Sequence, residues 1–363
     1  MISKTIDNIV WWIPFRKLRD NVRDYLRFNT VSTPCIDTHF IKNFRKSIKK
    51  DTDFVSKYID LIKNLDYDSR KIINEIIAKV CNYNDIEDGV YFSYNELREL
   101  NNFFEEFNNK IIKVNEELFI YDKYILPFCA FEIEVFYGKY GMNYIKNINQ
   151  IKNKSIIDAG AYIGDTAIIL SDYTDKSVYS FEPVLQHYNM MLKTIELNKK
   201  SNIVPVNMAL GDENKEIHWL FDDILEQYGL VDMALGDENK EIGMDAGIGA
   251  GSGMSIKNAN ESDLNRIENK VKMITLDSYV KENNIEVGLI KTDLEGFEQP
   301  FLKGAINTIK EQKPVLIISM YHNYSDFFEI KPMLENLNLG YKFKIIKNKS
   351  NQLLTETKLL AEV

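Results

Sequence analysis

The sequence predicts an α/β fold with a mostly parallel open sheet and an antiparallel terminal hairpin. From residue 153 onward, short apolar runs alternate with amphipathic stretches, as in "KSIIDAG" (154–160) followed by "DTAIILSDY" (165–173). This alternation is typical of right-handed β-α-β units with parallel strands. The chain closes with two strand-like runs, "YKFKIIKN" (341–348) and "QLLTETKLLAEV" (352–363), which predict the hairpin.

Further elements follow the same rhythm. Strands are predicted for "KSVYSFEP" (176–183), "NIVPVNMAL" (202–210), "VGLIKTDL" (287–294) and "PVLIISMY" (314–321). Helices are predicted for "VLQHYNMMLKTIELNKK" (184–200), "EQPFLKGAINTIKE" (298–311) and "FFEIKPMLENLN" (327–338). Ligands of such sheets bind beyond the carboxyl ends of the strands, so the residues at those ends are the candidates for function.

Residues 1–127 form a separate, mostly helical region in this prediction, and residues 128–363 form the α/β domain. Apolar residues recur at helical spacing over 51–81, and the stretch 93–111 opens with Ser93 and Glu96 spaced as in a capping box. No catalytic constellation emerges before residue 128.

Composition narrows the class of protein. With 363 residues and 45% hydrophobic residues, the chain can bury a sizeable core, and its net charge of −9 argues against general nucleic-acid binding. Three widely separated cysteines exclude a cysteine-built zinc site and suit a reducing cytosol. No apolar run approaches the ~20 residues of a membrane-spanning helix, so a cytoplasmic location is predicted.

One segment departs from the acidic average. Residues 9–28 place Trp11, Trp12 and Phe15 ahead of several arginines. A short helix of this kind could contact the inner face of an anionic membrane peripherally. The favoured alternative is that its aromatic side chains pack on the domain behind it.

The first strand end carries "DAGAYIGD", with Asp158, Gly160 and Gly164. Its glycines permit a tight turn at the start of a helix, but Asp158 occupies the place of the first glycine of a dinucleotide fingerprint. A carboxylate there would repel a pyrophosphate and attract a cation. S-adenosylmethionine, with an ammonium, a sulfonium and no phosphate, fits this site. Glu182, at the end of the next strand, can accept both hydroxyls of a ribose, and Pro183 then starts a helix.

Several motifs, in this order, resemble the FkbM family of class I S-adenosylmethionine-dependent methyltransferases. They are "IIDAGAYIGDT", "FEP", "ALGD", "KTDLEGFE" with "LKGA", and "YH". The resemblance covers roughly residues 128–363 and implies a seven-stranded Rossmann-like sheet and O-methylation, often of sugar or polyketide hydroxyls. The opening "WWIPFRKLR" is similar to leaders of bacterial surface-glycan assembly proteins. The cofactor-binding residues are predicted to be Asp158, Ala159, Gly160, Ala161, Tyr162, Gly164, Thr166, Glu182, Pro183, Ala209, Asp212 and Asp293.

The predicted catalytic residues are Asp293, Glu295 and His322. Alternate residues of a strand share a face, so Lys291 would point the same way as the two carboxylates, and an ion pair with it is the alternative role for them. His322 follows the next strand and suits general-base duty, since imidazole titrates near neutral pH. The alternative is a structural histidine whose hydrogen bonds are satisfied within the fold. A structural role is favoured for Glu298. A metal held by Asp293, Glu295 and His322 is conceivable, but no ligand spacing demands one and no metal site is predicted.

The decamer "MALGDENKEI" occurs at 208–217 and again at 233–242. Its first copy follows the predicted strand 202–210, so Asp212 is predicted to contact or neighbour the adenine. Residues 218–255 are interpreted as an insertion with a flexible glycine-rich end.

The predicted function is therefore O-methylation of a sugar hydroxyl in a bacterial surface glycan or a glycosylated metabolite. Two alternatives remain at this point. A cofactor-binding module without catalysis would account for the disturbed segment between residues 206 and 255. A NAD-dependent oxidoreductase would use a similar sheet, although Asp158 argues against it.

Overall fold

A computed structural model describes residues 38–82, 94–220, 268–348, 350 and 352–363, together with residues 11, 14–19 and 22. Within these ranges the chain opens with helices α1 (Thr38–Lys50), α2 (Phe54–Ile62), α3 (Tyr67–Cys81) and α4 (Tyr94–Asn108). An antiparallel meander of β1 (Ile111–Asn115), β2 (Leu118–Tyr121) and β3 (Tyr124–Leu126) follows. The region predicted as mostly helical therefore also contains a small sheet.

The α/β part begins with α5 (Ile133–Phe136), a 3₁₀ helix (Lys139–Tyr144) and α6 (Asn149–Lys152). Its first half contains β4 (Ser155–Ala159), α7 (Asp165–Leu170), β5 (Val178–Phe181), α8 (Leu185–Leu197), β6 (Ile203–Val206), β7 (Ala209–Leu210) and β8 (Lys215–Leu220). The second half contains β9 (Glu268–Ile274), α9 (Leu276–Glu282), β10 (Val287–Thr292), α10 (Glu298–Gly304), α11 (Ile306–Gln312), β11 (Val315–Ser319), α12 (Tyr324–Glu335), β12 (Lys342–Ile346) and β13 (Lys358–Glu362).

Seven strands form the central sheet, in the order β12-β13-β11-β10-β4-β5-β6. β13 is antiparallel to both of its neighbours, and the pairings among β11, β10, β4, β5 and β6 are parallel. Every residue of β4, β10 and β11 is buried, as expected for interior strands covered on both faces by helices. The predicted seven-stranded, mostly parallel sheet with a terminal hairpin is confirmed.

The N-terminal helices share a hydrophobic core with the sheet and its helices. The ring of Phe44 in α1 lies edge-on to Phe327 in α12, with ring centroids 5.0 Å apart. Lys331, fully buried in the same helix, donates to the Lys63 carbonyl at 2.5 Å and pairs with Glu335 at 2.7 Å. Because the ammonium is satisfied by α2 and its own helix, burial of this lysine ties the two regions together.

The predicted strand 202–210 is wrong as a single element. Only β6 belongs to the central sheet, while β7 pairs with β9 in a second, three-stranded sheet that also contains β8. Two bonds turn the chain away between β6 and β7: Met208 N donates to Val206 O at 3.0 Å, and the Asn207 amide donates to Glu182 O at 2.8 Å. Apolar patterning cannot distinguish one strand from two short ones joined by such a turn.

Some predictions fall on residues outside the described ranges. These are the second copy of the decamer with Asp237, the glycine-rich segment, and most of residues 9–28. Within that last segment, Trp11 and Phe15 are each 71% exposed. None of the described helices is both long and apolar enough to span a bilayer.

Candidate functional site

A glycine turn joins β4 to α7 and packs on the end of β10. Gly160 and Gly164 have φ values of 79° and 81°, in the left-handed region that favours glycine. A Cβ on Gly160 would lie 1.9 Å from Asp293 O, and Asp293 N donates to Ala159 O at 2.9 Å. The backbone of the turn therefore lies directly against the strand that carries the predicted catalytic residues.

Glu182 stabilises the other side of the same turn. Its two carboxylate oxygens accept bonds from Tyr162 N and Val184 N, both at 2.9 Å. Gly160 N and Ala161 N both donate to Phe181 O, which holds the turn to β5. Each Glu182 oxygen retains a second lone pair. The residues predicted at the first two strand ends are thus brought together, with Thr166 buried on α7 below them.

Asp158 lies beneath the turn and is fully buried. Lys291 Nζ is 2.9 Å from Asp158 Oδ1 and donates to Gly160 O at 2.6 Å. Burial alone would lower the pKa of Lys291, but the charges of Asp158 and Asp293 raise it above its ordinary value. The predicted ion pair of Lys291 is therefore made with Asp158 and supports the turn.

Asp293, just past the end of β10, has both carboxylate oxygens engaged. Tyr140 donates to Oδ2 at 3.1 Å, and Tyr321 donates to Oδ1 at 3.2 Å. Burial favours the neutral acid, yet the charges of His322 and Lys291 hold the pKa of Asp293 below its ordinary value. Asp293 is consequently a fixed anion and a poor acceptor of a further proton.

His322 is held among three carboxylates. Its Nδ1 lies 3.0 Å from Glu298 Oε1, and its Nε2 lies 3.4 Å from Asp293 and 3.6 Å from Glu295. Burial would lower the pKa of the imidazole, but these carboxylates, Glu298 foremost, raise it to about 10. At neutral pH the ring already carries its second proton. The predicted general-base role therefore does not fit His322, which acts here as a buried cation.

Glu295 has the properties that a base requires. Its side chain is 29% exposed, and among the described residues its neighbour at ion-pair distance is His322. Burial raises the pKa of Glu295, and the nearby charges of Asp293 and Glu298 raise it further. The charge of His322 lowers it by less, so the pKa is about 8. Its backbone is left-handed, with φ 52°, immediately before Gly296. Strained backbone of this kind is concentrated at functional sites.

Glu298 maintains the turn that presents Glu295. Its carboxylate accepts from Leu294 N at 2.8 Å and from Gly296 N at 3.0 Å, and the residue is fully buried. This is the structural role that the sequence favours. One oxygen from Asp293, one from Glu298 and one ring nitrogen of His322 lie within 4.8 Å of each other and could hold a divalent metal.

The sequence did not single out Tyr140 and Glu356, which lie outside the motifs, or Tyr321, which stands next to His322 in the "YH" motif. Tyr140 is buried with φ 50° in the 3₁₀ helix, and the Nζ atoms of Lys358 and Lys291 lie 4.4 and 5.0 Å from its ring centroid. Tyr321 OH is 3.5 Å from Glu356 Oε1, and Glu356 also has a left-handed backbone. The one available signal was the aromatic, glycine-containing stretch 128–141, which gives no indication of a partner on β10.

The predicted contact of Asp212 with the adenine requires one continuous strand over 202–210. The structure has two separate strands there, β6 and β7. With β6 ending at Val206, Asn207 takes the position directly after the strand. Ala209 is buried in β7, and Asp212 is exposed in the bend between β7 and β8 of the second sheet. The structure therefore does not bring Asp212 to the end of a strand of the central sheet.

A comparison with solved structures gives one match that supports this architecture. The crystal structure of methyltransferase FkbM from Methylobacillus flagellatus KT matches with a TM-score of 0.51 and 14% identity, covering 88% of this chain and 60% of that one. The present chain thus spans about three fifths of that protein. TYW2 of M. jannaschii, solved in complex with AdoMet, matches with a TM-score of 0.31 and 14% identity, covering 69% of this chain and 87% of that one.

No curated protein matches the chain significantly. The family model described as the methyltransferase FkbM domain matches residues 158–343, which is more than half of the chain. This segment runs from Asp158, beneath the glycine turn, through Glu182, Asp293 and Glu295, to β12. The chain belongs to the FkbM methyltransferase domain family.

Proposed function

We propose that the protein is an S-adenosylmethionine-dependent O-methyltransferase acting on a sugar hydroxyl in a bacterial surface glycan or a glycosylated metabolite. One observation carries the proposal: the Gly160 turn, Glu182 and Glu295 meet at the carboxyl edge of the central sheet. A ligand-binding turn, an acceptor for ribose hydroxyls and a proton acceptor are thereby combined in one crevice.

The residues present fit the cofactor. A Cβ at Gly160 would clash with Asp293 O, so only glycine lets the turn pack this closely on the end of β10, and Glu182 beside it retains lone pairs for ribose hydroxyls. The carboxylates of Asp293 and Glu295 suit a ligand that carries a sulfonium. When bound, S-adenosylmethionine supplies a methyl group whose transfer forms a C–O bond, breaks a C–S bond and releases one proton from the acceptor hydroxyl.

Glu295 receives that proton in this proposal. Asp293, fixed by two tyrosines, orients the acceptor hydroxyl, and His322 stabilises both carboxylates as a buried cation. Because methyl transfer demands an in-line approach, such positioning contributes as much as the proton acceptor itself.

Calorimetry on the full chain tests the cofactor, with S-adenosylmethionine and S-adenosylhomocysteine as ligands. Incubation with a radiolabelled methyl donor and a panel of sugars then tests the reaction. We expect micromolar binding of the cofactor and transfer of label to an alkali-stable methyl ether. Failure of both ligands to bind would overturn the proposal, and so would a nicotinamide cofactor that alone raises the melting temperature.

Glu182→Ala is expected to weaken binding of S-adenosylhomocysteine about 10- to 100-fold. The substitution removes hydrogen bonds to an ionised acceptor, each worth about 1.5–3 kcal/mol. Asp212→Ala is the matched control, because Asp212 is exposed in the bend between β7 and β8, and we expect less than a twofold change. Calorimetric dissociation constants check both values. A larger effect at Asp212 would restore its predicted contact with the adenine.

The pH dependence of turnover follows from the raised pKa of Glu295. The base must be ionised to accept a proton, so kcat/KM is expected to rise about tenfold per pH unit below pH 8 and to level off above it. Deprotonation of His322 near pH 10 would end the plateau. A rate that is flat between pH 6 and 8 would exclude Glu295 as the base.

A further inference from the structure

The order of the strands divides the crevice into two halves. The turn after β4 and Glu182 after β5 lie on one side of β10. Tyr321 and His322 after β11, and Glu356 before the antiparallel β13, lie on the other side. If the first half holds the cofactor, as proposed above, the second half faces the acceptor.

Glu356 is tied to the reacting end of β10. Tyr321 bridges the two, with its hydroxyl 3.2 Å from Asp293 Oδ1 and 3.5 Å from Glu356 Oε1. Lys358 donates to Glu356 Oε2 at 2.6 Å and lies 3.6 Å from Glu134. Glu356 has a left-handed backbone, with φ 65°, so it is the second strained acidic residue at this edge of the sheet after Glu295.

On the acceptor side of β10, the acidic side chains are more exposed than the basic ones. The side chains of Glu295, Asp293 and Glu356 are 29%, 25% and 15% exposed, respectively. The cationic side chains of Lys291, Lys358 and His322 are only 1–3% exposed. An incoming molecule therefore meets carboxylates first, with the cations behind them. Glu295 is largely protonated at neutral pH because its pKa is about 8, so the negative charge that a bound molecule faces here comes from Asp293 and Glu356.

His322 adds an independent sign that a ligand belongs here. Its Nε2 is buried without a hydrogen-bond partner, although it faces both Asp293 and Glu295. The protonated ring can only donate at Nε2, and buried polar atoms are normally satisfied, so an acceptor from outside the chain is expected to complete this group. A sugar hydroxyl can be both a donor and an acceptor.

We propose that Glu356 determines acceptor specificity and that the acceptor is a neutral or amino sugar, not a sugar acid or a sugar phosphate. The inference rests on the proposed function. A hydroxyl or ammonium group next to the methylated position donates to Glu356, whereas a carboxylate or phosphate there is repelled. Discrimination against the anionic sugar of about 10- to 100-fold is expected, because two like charges in contact at a partly exposed site repel each other.

The test uses methyl glycosides of gluco, galacto and manno configuration, each as the neutral sugar, the amino sugar and the uronic acid. Label transfer from S-adenosylmethionine is measured for the full chain and for Glu356→Gln, Glu356→Asp and Glu117→Gln. Glu117 is also paired with a lysine, but it is 80% exposed beside β2 and serves as the control. Melting temperature and S-adenosylhomocysteine binding establish that each variant is folded.

In every configuration that is methylated, we expect the neutral or amino sugar to exceed the uronic acid by about tenfold or more. Glu356→Gln should reduce that ratio below about threefold, while Glu356→Asp and Glu117→Gln should preserve it. A preference for uronic acids, or an unchanged ratio in Glu356→Gln, would overturn the inference. So would normal cofactor binding with no transfer to any neutral or amino sugar. Loss of cofactor binding by the unmodified chain would instead contradict the proposed function.

Discussion

Replacing Glu295 by glutamine is expected to lower methyl transfer by about 10²- to 10⁴-fold, which is the usual contribution of a positioned acid or base. Glutamine keeps the shape and the neutral polarity of the side chain but cannot accept the proton. Because Glu295 is 29% exposed and glutamine keeps the size of the side chain facing His322, the fold should be unaffected. Single-turnover rates with a radiolabelled methyl donor measure the loss directly.

Cofactor affinity and a surface control variant distinguish a proton acceptor from a binding group at Glu295. The affinity for S-adenosylhomocysteine should change less than about threefold, because the proton acceptor is needed for the chemical step. Glu329→Gln, on α12 with a side chain that is 43% exposed, provides a surface control with unchanged turnover. If Glu295→Gln retained half of the wild-type rate, or lost rate and cofactor affinity together, the residue would be a binding group and not the base.

The fold could be predicted because its interior strands are uninterrupted apolar runs. β4, β10 and β11 are buried at every position, so parallel strands are the simplest interpretation of such runs between amphipathic helices. The predicted strand 202–210 failed for a local reason. Asn207 donates to carbonyl oxygens after β5, a side-chain contact that patterning does not reveal.

Residues of the site were predictable where a motif places them at a strand end. Asp293, Glu295 and His322 do converge. The residue types alone, however, could not show which of the three is the base. That distinction depends on burial and on neighbours from other strands: Tyr140 and Tyr321 at Asp293, and Glu298 at His322. Tyr140 precedes the matched family segment, so its role depends on tertiary structure alone.

The ion pair beneath the turn shows why register matters. Lys291 on β10 is the direct partner of Asp158 on β4 in the parallel ladder. The sequence places Lys291 nearest to Asp293 and Glu295, which made either of them the expected partner. Only the adjacency of β10 and β4 brings Asp158 within 2.9 Å of Lys291 Nζ.

Removing either charge of this pair is expected to destabilise the protein by about 3–5 kcal/mol, because each single variant leaves one buried charge without its partner. The variants are Asp158→Asn and Lys291→Met, with the side chains at 0% and 1% exposure in the native chain. Urea unfolding of the full chain at pH 7 measures the free energies. The double variant should cost less than the sum of the two single ones by about 1–3 kcal/mol, since residues in contact are coupled. Additive costs would mean that the two charges do not interact.

The same double variant separates stability from function. Lys291 also donates to Gly160 O, so the pair positions the turn as well as neutralising charge. Restored stability should therefore be accompanied by S-adenosylhomocysteine binding that stays at least about tenfold weaker than in the native chain. If binding recovered together with stability, the turn would be set by its glycines and its contacts with Phe181 and Glu182 alone. We expect binding to stay weak because Lys291 donates to Gly160 O at 2.6 Å. Among the described residues, Lys291 is the buried cation at the end of β4, and this bond connects it to the backbone that a cofactor would contact.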